Sequence, residues 1–247
     1  MDGQLTMRPV VVCAHRGASS SFPENTIPAF AEAVSLGCGM IEFDVRATAD
    51  GNMVILHDAS VDRTTDGTGQ IWDLSFDEVS RLDASAGHAA YAGTRMPTLH
   101  EVLDFLPREI ELNIHVYPGP EDGAAIVDSV CDEIRTRDLY ASAFIAGDVR
   151  VMELIGNADS RVRCCLLEFA SESAIYAQRA SQMGCSNLQP ANKITTAEIC
   201  EEAHDLGLIV HPYYADDETE MLRLIECGVD GILTNNPKLL VELLGRG

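Results

Sequence analysis

Lysine is nearly absent from this chain of 247 residues: Lys193 and Lys238 are the two that occur, and the rest of its 17 cationic side chains are arginines. Set against 39 Asp and Glu, they leave a formal net charge of −22. Such a surface disfavours nucleic acid and anionic membranes, because phosphate backbones reward basic faces. The repulsion concerns the outside of the molecule and leaves a buried site unconstrained. Low lysine fits a GC-rich genome or adaptation to salt equally well. Long apolar runs are missing too, since no stretch reaches the ~18 residues that span a bilayer. The opening Met1-Asp-Gly-Gln-Leu-Thr-Met-Arg-Pro9 lacks the charged start, apolar stretch and small-residue cleavage site of a secretory signal, so a cytoplasmic protein is expected. Cys-x-x-Cys pairs are absent among the eight cysteines (13, 38, 131, 164, 165, 185, 200 and 227). Most fall in apolar periodic segments, where a reduced cysteine behaves as a small hydrophobe. Neither disulfides nor a zinc site are expected.

What is present is a rhythm. Short β-branched apolar runs alternate with helical patterns from end to end, the signature of repeated βα units and a parallel sheet. With the length, this predicts one domain over residues 1–247 folded as an α/β, (β/α)8 barrel. Strands are expected at 10–16, 40–46, 53–57, 111–117, 142–147, 162–168, 187–189, 208–214 and 231–234, one more than a barrel needs. The segments at 187–189 and 231–234 carry the weakest signal. Thr26 to Leu36 places Ile27, Phe30, Ala31 and Val34 on one helical face and stops at Gly37. Thr98 with Glu101 forms a capping-box pattern, and Ile194 to Glu198 opens another helix in the same way, ending at Gly207. Two places break the rhythm. Only Ala47 to Asn52 separates the strands at 40–46 and 53–57; because both carry polar groups at their C-terminal ends, an extended return down the barrel is expected rather than a hairpin. Residues 59–97 are polar and Gly-rich, with one short helical pattern from Phe76 to Leu82, and read as an excursion over the barrel mouth.

Polar clusters sit where barrel strands should end, which is where this architecture assembles its chemistry. They are His15-Arg16-Gly17, the Glu42-x-Asp44 pair on one strand face, His57-Asp58, and Asn113-x-His115-x-Tyr117. Each has an ordinary reading alone, a histidine as scaffolding or a carboxylate pair as surface. On successive strands they demand more, because two inward carboxylates are costly to bury without a cation. A divalent metal answers that cost, and histidines beside it suit proton transfer near neutral pH.

In order and spacing, His15-Arg-Gly-Ala18, Pro23-Glu-Asn-Thr26, Glu42-Phe-Asp-Val45, Asp50-Gly51, His57-Asp58, Asp62-Arg-Thr-Thr65, Pro97-Thr-Leu-His-Glu-Val102 and Gly228-Val-Asp-Gly-Ile232 resemble the glycerophosphodiester phosphodiesterase family. The resemblance covers nearly the whole chain and is densest in the first 65 residues. It implies a TIM barrel with a small insertion after the third strand, His15 and His57 as the acid and base pair, Glu42 and Asp44 as metal ligands, and Arg16 on the phosphate. Glu24 and Asn25 would shape the first loop. The substrate would be a small phosphodiester, and the cofactor a divalent ion, Mg or Ca. The chain departs from the family on its fourth strand, where the usual N-x-E-x-K reads Asn113, His115 and Tyr117. His115 as third ligand would favour Mn, Co or Zn, and Tyr117 would offer the substrate a neutral donor in place of a cation. Tyr213, where the family has tryptophan, is a further expected substrate contact. The residues leave open a sphingomyelinase D or lysophospholipase D-like activity, and a weak or inactive phosphodiester-binding relative. They do not speak to the oligomeric state.

Overall fold

The computed structural model describes residues 9–120, 123–167 and 173–246. The expectation for the opening residues 1–8, and the last position of the strand at 162–168, lie outside them. The nine expected strands are all present among the described residues: β1 Val11–His15, β2 Met40–Ala47, β3 Met53–Ile55, β4 Glu111–Val116, β5 Ala143–Gly147, β6 Arg163–Leu166, β7 Asn187–Leu188, β8 Ile209–Val210 and β9 Gly231–Thr234. Eight of them run parallel in the order β8-β7-β6-β5-β4-β2-β1-β9. The two ends meet where Asp230 N donates to Val210 O (3.0 Å) and Leu233 N donates to Pro212 O (3.1 Å). A nearly closed parallel barrel with alternating helices results.

The surplus strand is neither of the two with the weakest signal. It is β3, which pairs antiparallel with β2 (Val45↔Ile55, Ala47↔Met53). The link at 48–52 is therefore a hairpin, and the expected extended return is wrong. The carbonyls of β2 give the reason. Glu42 O accepts from Arg16 N and Asp44 O accepts from Leu56 N; alternate residues of a strand bond toward the same edge, so β1 and β3 share one edge of β2. β1 ends at His15, level with Glu42. Beyond that point the edge would be bare, and β3 covers it. Because β2 overshoots the barrel mouth before turning, the descending strand delivers its end, His57, back to the level of Asp44.

Helices pack outside the sheet. Along β1, β2 and β4 the residues Val12, Ala14, Ile41, Phe43, Val45, Leu112, Ile114 and Val116 face the helices, in one continuous core. The intervening positions face the barrel axis, where Cys13, Met40, Phe144, Ala146, Cys165 and Leu233 fill the lower layer. The helix after β1 spans Ile27–Ser35 (α1), but its buried face is Ala29, Phe30 and Ala33, turned from the expected one; Ala31 is exposed. The capping box of Thr98 and Glu101 is formed at the helix Leu99–Phe105. At the helix Ala197–Asp205 the N-cap is Thr196, whose side chain accepts from Ile199 N.

The excursion at 59–97 is less bare than its composition implied. It holds the short helix Phe76–Val79 and two 3₁₀ turns. Val61, Ile71, Val79, Ala84 and Met96 make a small core with Val54 and Leu56 of the β3 segment. Its apolar tie to the barrel thus passes through the hairpin arm, and Arg63 adds an ion pair to Glu24 of the loop after β1.

Candidate active site

Glu42 and Asp44 are both fully buried, and β4 sets His115 opposite Asp44. His115 Nδ1 lies 3.2 Å from Glu42 Oε1 and 3.8 Å from Asp44 Oδ1. Those two oxygens accept no hydrogen bond. The other oxygen of each carboxylate is fixed: Glu42 Oε2 accepts from Arg16 N (2.9 Å), and Asp44 Oδ2 from Asn25 Nδ2 (2.7 Å). Each carboxylate is therefore held by one oxygen and offers the other to a common point, with one ligand atom from each of the three residues lying within 4.8 Å of the rest. Burial, then the charge of Asp44, pushes the Glu42 carboxyl well above the usual range. Burial presses the His115 imidazole down to about 4 against the pull of Asp44. A neutral imidazole is the form that ligates, and a cation at this point would return Glu42 to its anion. Two unpartnered carboxylate oxygens and one imidazole nitrogen fit a divalent ion.

The loop after β1 bends sharply to make this cradle. Arg16 has φ +57°, which is strained for a side-chain residue, and only then does its N–H reach Glu42. Gly17 follows at φ +80°, and a Cβ there would lie 2.7 Å from Ala29. The Arg16 guanidinium sits with Nε 3.2 Å from Asp44 Oδ2 and Nη1 2.8 Å from Glu24 Oε1. Glu24 also accepts two bonds from Arg63, and Arg63 in turn grips Asp58. Burial pushes Glu24 up, but the Arg63 bonds and the Arg16 charge outweigh it and hold the carboxyl at about 2.

The two expected proton-transfer histidines are each held by Nδ1. His57 Nδ1 is 2.7 Å from Asp58 Oδ1, and hydrogen bonds from Arg63 keep that carboxylate ionised. His15 Nδ1 is 2.7 Å from Asn235 Oδ1. Asn235 gives its Nδ2 to Asp216 Oδ2 (2.7 Å) and its backbone N–H to Asp216 Oδ1 (2.7 Å). With the amide nitrogen so committed, Oδ1 must accept, and the His15 proton is assigned to Nδ1. Its Nε2, 3.8 Å from Glu42 Oε2, carries the lone pair. Burial, then the Arg16 charge, lowers the imidazole pKa, which keeps it a base.

Two aromatic expectations separate. Tyr117 borders the cluster, its ring 5.5 Å from that of His57 and 6.4 Å from that of His115. Tyr213 is half-buried, packed on the lower barrel layer, with its backbone bonded to Pro190 and Asn192. The next residue, Tyr214, stacks on His15 at 5.1 Å and 22°. Sequence reasoning passed over Tyr214, Asn235, Asp216 and Ser19, whose Oγ also reaches Asn235 (3.0 Å). Asn235 directly follows β9, so the strand-end rule that marked His15 applied to it as well.

The sequence profile of the Glycerophosphoryl diester phosphodiesterase family matches residues 15–239. The chain is similar to the glycerophosphodiester phosphodiesterase of Caldanaerobacter subterraneus, with 35% identity over 96% of this chain and 98% of that protein. Among solved structures, a phosphodiesterase of Oleispira antarctica in complex with the product sn-glycerol-3-phosphate superposes with a TM-score of 0.88 at 24% identity, covering 95% of this chain and 96% of that one. The glycerophosphodiester phosphodiesterase of Agrobacterium tumefaciens gives 0.80 at 25% identity, covering 93% and 98%.

Proposed function

Because the chain belongs to the glycerophosphoryl diester phosphodiesterase family, we propose that it hydrolyses glycerophosphodiesters to glycerol phosphate and a free alcohol, with His15 and His57 as the proton-transfer pair. Glu42, Asp44 and His115 would hold a divalent ion, which supplies a Lewis acid for charge that develops on the phosphate. The observation that carries this reading is the pair of unpartnered oxygens, Glu42 Oε1 and Asp44 Oδ1, converging on His115 with His15 at their flank.

The chemistry follows from which atoms are free. A glycerol hydroxyl beside the diester attacks phosphorus while one histidine takes its proton. The bond from phosphorus to the leaving alcohol breaks, and the other histidine protonates that oxygen. The cyclic phosphate is then opened by water as the two histidines exchange roles. Arg16 is anchored by Asp44 and Glu24 in a fixed orientation, as binding of two phosphate oxygens requires. Among the described residues no helix is long and apolar enough to cross a membrane. Seven of the eight cysteines are buried as free thiols, which fits a cytoplasmic enzyme.

The test is direct. Purified protein supplied in turn with Mg²⁺, Ca²⁺, Mn²⁺ and Co²⁺ should release glycerol phosphate from glycerophosphocholine and from an aryl phosphodiester. Folded protein that turns over neither substrate with any of these ions would overturn the proposal.

A further inference from the structure

Among the described residues, two clefts open at the barrel mouth, over different arcs of the sheet. The first, of 430 Å³, lies by β1, β8 and β9, and Ser19, Ser20, Asp216 and Asn235 give it a wall of hydroxyl, carboxylate and amide groups. The second, of 640 Å³, lies by β4, β5 and β6 between Trp72, Tyr117 and two arginines, Arg46 and Arg150. Arginines are scarce against the acidic surface, and those elsewhere around the site are ion-paired, as Arg16 and Arg63 are. The two in the second cleft have no carboxylate within ion-pair distance among the described residues. Arg46 donates Nε to His57 O (2.8 Å) and lays its guanidinium 4.7 Å from the centre of the Tyr117 ring. Its terminal nitrogens have no hydrogen-bond partner among the described residues, and Asp44 and Asp58 act on it only at a distance. Arg150 is exposed, and its guanidinium lies over Gly123, where a Cβ would come within 2.6 Å of Nη2. Among the described lining residues the one acidic side chain, Asp148, is engaged elsewhere, its Oδ1 accepting from Val151 N at a helix start (2.9 Å).

A quaternary ammonium group is recognised by open aromatic faces. Here Arg46 already lies over the Tyr117 ring, and beside Trp72 the cleft presents two guanidinium groups whose charge repels a choline. The smaller cleft, with its hydroxyls and amide, suits the hydroxyls of glycerol. The larger one adjoins His57 through both Arg46 and Tyr117, on the side where an alcohol would depart.

We propose that the cleft between Trp72, Tyr117, Arg46 and Arg150 is the leaving-alcohol subsite, and that it selects an alcohol bearing negative charge, a carboxylate or a second phosphate, over neutral or cationic ones. This rests on the phosphodiesterase reading above. Charge-assisted bonds from two guanidinium groups that no carboxylate among the described residues pairs with are the source of the selectivity.

The experiment compares kcat/KM for glycerophosphoinositol 4-phosphate, glycerophosphoinositol and glycerophosphocholine, with Mn²⁺ present, in wild type, Arg46→Gln, Arg150→Gln and the double variant. The ratio for the first pair, the same alcohol with and without a phosphate, is the readout. It should be about tenfold or more in wild type, a reasonable return from one charge-assisted contact, and should fall to about twofold in the double variant. A variant that lowers all three constants alike and leaves the ratio intact would mean that Arg46 acts only through the backbone of His57, and the subsite assignment falls. A wild type that turns over all three but favours the choline ester overturns it as well, while leaving the phosphodiesterase reading in place. No turnover of any diester overturns both.

Discussion

His15 can act as a base only if its proton sits on the far nitrogen, and that choice is made by an amide just past the end of another strand. Asp216 binds the amide nitrogen of Asn235, so the amide oxygen faces His15. Asn235→Ala removes the acceptor without touching the reacting atoms, and should lower kcat by roughly 10- to 100-fold with KM little changed, the usual size of such supporting contacts. His15→Ala and His57→Ala should each cost more, ~10² to 10⁴ in turnover, with circular dichroism unaltered. A His57→Ala variant within tenfold of wild type would sink its assignment. Glu24 makes a different, pH-dependent contribution. Its folded pKa of about 2 lies below the 4.5 of a free glutamate, so the stabilisation is present above pH 4.5 and lost as pH falls toward 2. Glu24→Gln should therefore be less stable by on the order of 2 kcal/mol at pH 7, and denaturant curves at pH 5 and pH 3 should show that gap closing. The histidines, Arg16 and the two carboxylates were legible because their side-chain types mark chemistry wherever a strand ends. Asn235 was marked only by its place after β9, and its role, like that of Asp216, stays hidden until its partner 220 residues away is placed against it.

At the scale of elements, all nine strands could be read from apolar runs and turn residues, but the direction of one could not. A three-residue apolar run such as Met53-Val-Ile55 looks the same whichever way it points. The polar end of 53–57 suits a parallel strand by sequence alone, whereas the overshoot of β2 lets an antiparallel arm bring His57 to the same height. Rotation of α1 was missed for a related reason: small alanines fill both candidate faces, so periodicity gives little preference between Ala31 and Ala33. Capping was legible because it is local. Thr98→Ala should break the bond from Glu101 N to Thr98 Oγ1 while leaving the backbone N–H of residue 98 bonded to Glu101 Oε2, and lower stability by about 1 kcal/mol, with kcat/KM unchanged; a melting shift absent from this variant would remove the cap from the account of the helix Leu99–Phe105.

For the whole molecule, the centre of the barrel mouth should behave as a metal-dependent cofactor site with a preference set by His115. Two carboxylates and an imidazole favour first-row transition ions over Mg²⁺ or Ca²⁺. Calorimetric titration of stripped protein should show tighter binding of Mn²⁺ or Co²⁺ than of Mg²⁺, with His115→Glu moving the order back toward the hard ions. Glu42→Gln should lose metal by elemental analysis while the stripped protein melts no lower than stripped wild type, because a buried carboxylate pair without a cation is a liability. If His115→Ala binds metal as wild type does, the imidazole shapes the pocket instead. The −22 net charge describes the chain as a whole; at this centre the Arg16 guanidinium and backbone N–H set the local field against the two carboxylates.

The hairpin divides the machinery between two bodies. His15, Glu42, Asp44 and His115 stand on parallel strands bonded on both edges, while His57 and Asp58 hang on a three-residue antiparallel arm whose core is shared with the excursion at 59–97. Regions with few tertiary ties open before the rest of a protein. In rising denaturant, amide exchange should therefore reach Val54 to Met96 earlier than the barrel wall, and catalysis should vanish while bound metal and barrel circular dichroism persist. The molecule would pass through a metal-loaded, silent form, so its thermal or chemical inactivation would report on the appendage and not on the barrel.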